Sequence, residues 1–139
     1  MFKNILLAVD GSEHALNAAR LAGELARLTR ANLWVVTSYD PIPPYLGEPN
    51  LSQIIAARTG EAESTFSIAM LEIGEIPGEI HKEVLEGPAA EAILSVVNVR
   101  EIDLIVMGTR GLGRLAGALL GSQSQKVIAH ANCPVLLAR

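Results

Sequence analysis

Short apolar runs separated by stretches of helical periodicity constrain this chain more than any other feature. Phe2 to Val9, Leu33 to Tyr39, Glu79 to Glu86, Asp103 to Met107 and Cys133 to Ala138 each read as a strand. Between them, residues 13–30, 51–73, 89–100 and 122–130 carry apolar positions at helical spacing, with Gly60 a weak point in the second stretch. Strands that alternate with helices pair in parallel, because each crossover needs a helix to return the chain. The sequence therefore predicts an α/β fold. It is a doubly wound five-stranded parallel sheet with helices on both faces, Rossmann-like in plan. One domain accounts for all 139 residues.

Local signals support this order. Ser12 is a good N-cap and Glu13 suits the positive end of the helix dipole. Ala15, Leu16, Ala19, Ala22, Gly23 and Ala26 form a small-residue stripe that predicts a tightly packed first helix, ending near Arg30. Residues 40–49 hold four prolines and read as a loop, and Pro88 sits well at a helix start.

Composition narrows the function. Half of the chain is hydrophobic, yet no apolar run reaches membrane-spanning length. The first residues read as a strand cut off by Asp10, not as a signal peptide. The single Cys133 excludes an internal disulfide framework and fits a cytoplasmic location. Charge is unevenly spread. Residues 1–103 hold all 15 acids and seven bases, whereas residues 104–139 hold four bases and no acid. A nucleic-acid binder would be basic across a whole face. A pocket for a small anion needs only a local bias.

That bias coincides with the segment 108–124, GTRGLGRLAGALLGSQS, which follows the buried-strand pattern Leu104-Ile105-Val106-Met107. Its glycines let a backbone approach a ligand closely, and the N–H groups of a following helix favour an anion. Three familiar sites fit poorly. A receiver domain would need paired acids after the first strand and a Lys near the last, and neither is present. Gly111-Leu-Gly113-Arg-Leu-Ala116 matches a dinucleotide fingerprint only formally, since it follows the fourth strand and no acid lies downstream. No Gly-Lys-Ser/Thr occurs, so there is no Walker loop.

The remaining pattern is Gly108, two residues, Gly111, nine residues, then Gly121-Ser122, with Asp10 closing the first strand. With Ile5-Leu-Leu-Ala-Val-Asp-Gly-Ser12, Asp103-Leu-Ile-Val-Met-Gly-Thr-Arg-Gly111 and Cys133-Pro-Val-Leu, the whole chain resembles the universal stress protein family, in its ATP-binding branch. The resemblance implies an adenine nucleotide alpha hydrolase-like version of the fold, with ATP and Mg²⁺ as ligands. It implies an adenine and ribose pocket from Ala8, Val9, Asp10 and Ser38. It implies phosphate and ribose contacts from Met107, Gly108, Arg110, Gly111, Gly121, Ser122, Gln123 and Ser124. Two positions depart from the family pattern: Ser38 where valine is common, and Gln123 where a small or apolar residue is common.

The physical reading runs parallel to it. Gly108 and Gly111 would leave room for the triphosphate, and Gly121, Ser122 and Ser124 would open the last helix with N–H and hydroxyl donors. Asp10 reads either as a turn residue before Gly11 or as an acceptor for ribose, adenine or a metal ion. Ser122 reads as an N-cap, a ligand group or both. Arg110 would lie over the phosphates, while Arg114 reads as a solvated charge. His14, His81 and His130 share no metal spacing.

Chemistry beyond binding has little support. There is no Ser-His-Asp arrangement, no carboxylate pair near the loop, and no Ser-Gly-Gly or His-x-Gly-His signature of adenylate-forming relatives. No dedicated enzyme is expected, and any ATP hydrolysis would be slow. The expected role is regulatory, through nucleotide-dependent shape or partner contacts. The rivals are a protein-interaction module without nucleotide and a slow ATP hydrolase. The last strand, Val135 to Ala138, would lie at a sheet edge and pair in a homodimer, as the resemblance also implies. An unidentified protein partner is expected, but neither nucleic acid nor membrane.

Overall fold

The computed structural model describes residues 1–109 and 120–139. Its elements follow in the order β1 (Asn4–Ala8), α1 (Glu13–Thr29), β2 (Asn32–Tyr39), α2 (Asn50–Ile73), β3 (Ile80–Glu86), α3 (Ala89–Val99), β4 (Leu104–Gly108), α4 (Ser122–His130) and β5 (Val135–Ala138). The five strands form one parallel sheet in the order β3-β2-β1-β4-β5. The chain winds outward from β1 to β3, then crosses back to β4 on the other side. That reversal places a switch point between β1 and β4, where Leu7 pairs with Val106.

Two apolar layers follow from the alternation of side chains along each strand. Ile5, Leu7, Leu33, Val35 and Val106 face α1 and α2, packing on Ala18, Ala22 and Phe66. Leu6, Val36, Ile105 and Met107 face α3 and α4, packing on Ile93, Val96 and Val127. The small-residue stripe of α1 is buried at Ala15, Ala18, Ala19, Ala22, Gly23 and Ala26. A side chain at Gly23 would put its Cβ 2.3 Å from the Ile73 carbonyl oxygen, so the absent Cβ sets how closely α1 and α2 approach. Arg27 of α1 also donates to the Ile73 and Glu75 carbonyls at 2.7 and 3.1 Å, binding the carboxyl end of α2.

Element ends differ modestly from the sequence reading. Asp103 precedes β4, because its carboxylate accepts from the Lys3 and Asn4 N–H groups at 2.8 and 3.3 Å. β5 starts at Val135, since Pro134 has no N–H to give the ladder. Gly60 does not interrupt α2. The helix carries no buried residue before Ala62, so tertiary packing holds only its second half. No helix among the described residues is long and apolar enough to cross a membrane.

Candidate functional site

Across the carboxyl ends of β1, β2 and β4 lies a cavity of about 450 Å³, within the range of small-molecule sites. Its lining includes Ala8, Val9, Asp10, Ser38, Met107, Gly108, Gly121, Ser122, Gln123 and Ser124. Residues from both ends of the chain therefore meet at the switch point. The expected contacts Arg110 and Gly111 lie outside the described residues, as does Arg114.

One wall is the start of α4. Its N-cap is Gly121, whose N–H donates to the Thr109 carbonyl at 2.8 Å. Ser122 was a candidate N-cap; instead it is the first helical residue, because Gly121 takes the extended conformation that opens the helix. No side chain caps this helix, and the N–H groups of Ser122, Gln123 and Ser124 have no acceptor among the described residues. They are the first-turn donors that a helix cannot satisfy itself, facing a cavity. Gly121 has φ −66° and ψ 153°, a conformation open to any residue. Its glycine is not required by the backbone there.

Several side chains have duties that the sequence reading did not foresee. The buried Ser124 hydroxyl donates to the Gly108 carbonyl at 3.1 Å, tying α4 to β4 rather than pointing at a ligand. Gln123 accepts from the Ala90 N–H at 2.9 Å through its side-chain oxygen, capping α3, whose N-cap Pro88 offers no side-chain acceptor. Gly108 lines the cavity, but a Cβ there would sit 2.8 Å from His14 Cβ and 3.0 Å from its carbonyl carbon. Close packing of α1 on β4, rather than room for phosphate, is therefore what this glycine secures. Asp10 accepts from the Ser12 N–H at 2.9 Å, the turn role considered for it, and also lines the cavity. Ser12 caps α1 by accepting from Ala15 at 3.2 Å.

The opposite wall belongs to β2 and α2, and much of it was missed. Thr37, Tyr39, Asp40, Arg58, Glu61, Ala62 and Thr65 line it. The available signal was Thr37-Ser38, a polar pair closing the otherwise apolar run Leu33 to Val36. Charge is unevenly divided between the walls. Asp10, Asp40 and Glu61 stand on the β1, β2 and α2 side with Arg58, whose guanidinium is 3.6 Å from Glu61, while the described α4 wall carries no acid. An anion is thus favoured at α4 and disfavoured at β2.

No three His, Cys, Asp or Glu side chains gather for a metal among the described residues. His14 Nδ1 lies 3.2 Å from the Thr109 hydroxyl, next to the cavity, and His81 stacks on Trp34 with ring centroids 4.5 Å apart. Burial, with Asp103 contributing, pushes the Cys133 thiol above its ordinary value of 9.0. The sulfur stays protonated and packs against the α3–α4 layer, as expected of a small core residue.

Comparison with known proteins now bears on this arrangement. The model of the universal stress protein family matches residues 1–139. The chain belongs to this family. A universal stress protein of Thermus aquaticus is 50% identical over the full length of both chains. Among solved structures, universal stress protein UspA from Lactobacillus plantarum superposes with a TM-score of 0.87 at 28% identity, covering 99% of this chain and 98% of that one. A universal stress protein from Archaeoglobus fulgidus in complex with dAMP gives a TM-score of 0.67 at 26% identity, covering 100% and 98%. Both the fold and the family expected from the sequence are thereby established.

Proposed function

We propose that this chain binds an adenine nucleotide, ATP with Mg²⁺, in the cavity at its switch point and acts as a regulatory protein through the bound state. The observation that carries the reading is the trio of N–H groups at Ser122, Gln123 and Ser124, which have no acceptor among the described residues and open onto a cavity of about 450 Å³. The phosphates lie against these amides and the helix N-terminus. The dAMP complex of the Archaeoglobus fulgidus relative supports the ligand class. Ala8, Val9, Asp10 and Ser38 take the ribose and base side; the phosphate contacts that the family resemblance implies for Arg110 and Gly111 lie outside the described residues. Magnesium enters with the phosphates, offsetting the repulsion from Asp10, Asp40 and Glu61. His14 and Asp10 lie near, but among the described residues no side-chain pair of base and orienting partner is assembled for rapid hydrolysis.

Titration calorimetry with ATP and Mg²⁺ tests the reading, using the wild type and Gly121→Leu. Wild-type heat that disappears in the variant, with the melting temperature kept, is the expected result. A wild type that takes up no nucleotide contradicts it. The reading extends to a homodimer joined through the edge strand β5, with the protein working in the cytoplasm. The apolar residues Val135 to Ala138 at the sheet margin, with Leu136 exposed, support this pairing.

A further inference from the structure

Thr37 is buried, with 8% of its surface exposed, yet its hydroxyl has no hydrogen-bond partner among the described residues. A buried hydroxyl without a partner is costly, so an orphan of this kind calls for a reason. Its position supplies one. Thr37 lines the cavity on the face of the sheet opposite to Ser38, as alternation along β2 requires. Around it the wall is apolar at Val9, Ala15, Ala62 and Val84, and Thr65 of α2 adds a second hydroxyl.

Resting on the nucleotide reading of the cavity, we propose that Thr37 recognises the polar edge of the nucleobase and thereby sets base selectivity from the β2–α2 wall. The phosphate end is fixed at α4, above β4. In the order β2-β1-β4, β2 stands two strand spacings away, about 10 Å. The group of a nucleotide farthest from its phosphates is the base. A base is also what this wall suits: a flat apolar ring against valine and alanine, with donors and acceptors confined to its rim. The hydroxyl can donate or accept, so it can complement either a ring nitrogen or an exocyclic amine. The carboxylates at Asp10, Asp40 and Glu61 make the same wall unfavourable for phosphate.

The test is Thr37→Val, which keeps the shape and removes the hydroxyl. In the free protein nothing described here is lost, so the melting temperature should hold or rise. ATP–Mg²⁺ should bind about tenfold more weakly, because a base group loses its partner on burial. Inorganic tripolyphosphate, which has no base, should bind wild type and variant alike. ATP affinity left unchanged by Thr37→Val overturns the inference while the nucleotide reading stands. Equal weakening of ATP and tripolyphosphate, with a lowered melting temperature, also overturns it by showing a structural role. A wild type that binds neither ligand overturns both.

Discussion

Individual residues at the cavity serve two masters, and the side chains show which one each serves. Ser124 and Gln123 are committed to the protein through Gly108 and Ala90, leaving their main-chain N–H groups as what they can offer a ligand. On the proposed nucleotide reading, binding at α4 is carried by backbone, which tolerates side-chain change so long as the helix start stays in place. Gly108 is the sharper constraint. Adding one methyl there drives a Cβ to 2.8 Å from His14 Cβ, closer than carbon atoms approach. Gly108→Ala should cost about 1–3 kcal/mol, the usual range for overpacking, read in a urea melt. A midpoint equal to wild type would show that α1 yields freely and that the glycine is kept for other reasons.

At the level of elements, the helix starts are linked to one another. Gln123 on α4 supplies the acceptor that α3 lacks at its own N-cap, so the α4 wall of the cavity and α3 share one hydrogen bond. Gln123→Ala should lose about 1 kcal/mol of stability, the ordinary worth of an N-cap, and Gln123→Glu should retain it. Denaturant unfolding of the three proteins checks this, and equal stability would show that water replaces the cap. Periodicity and composition made most elements legible in the sequence, since apolar runs and the small-residue stripe of α1 report directly on burial. The α3–α4 cap was not legible. It joins residues 33 positions apart, and no local pattern tells a glutamine that faces a helix end from one in solvent. The α2 wall was hidden for a related reason. The cavity meets α2 where its unpacked first half gives way to the packed second, and Arg58, Glu61 and Thr65 stand there as polar side chains with no amphipathic signature. Ten residues implied by family resemblance do line the cavity, but the resemblance could not say that Ser124 and Gln123 spend their side chains elsewhere.

For the molecule as a whole, the sheet order joins the cavity to the chain's exposed margin. Thr109 donates through its N–H to Ala138 of β5 at 2.8 Å and accepts from Gly121 at 2.8 Å, so one residue touches both the edge strand and the start of α4. On the proposed reading, a ligand that shifts α4 would act directly on that link. If β5 joins two copies, Leu136, 36% exposed, is the residue whose replacement by a charged side chain should matter most. Light scattering at micromolar concentration should give a dimer for wild type and a monomer for Leu136→Lys. A monomeric wild type would contradict the pairing and leave the cavity untouched.

The three main-chain N–H groups at the start of α4 can be watched one by one. In a ¹H–¹⁵N titration with ATP and Mg²⁺, the amide protons of Ser122, Gln123 and Ser124 should move downfield together, saturating with the calorimetric affinity, as hydrogen bonds to phosphate form. Binding that leaves these three resonances in place would contradict the account.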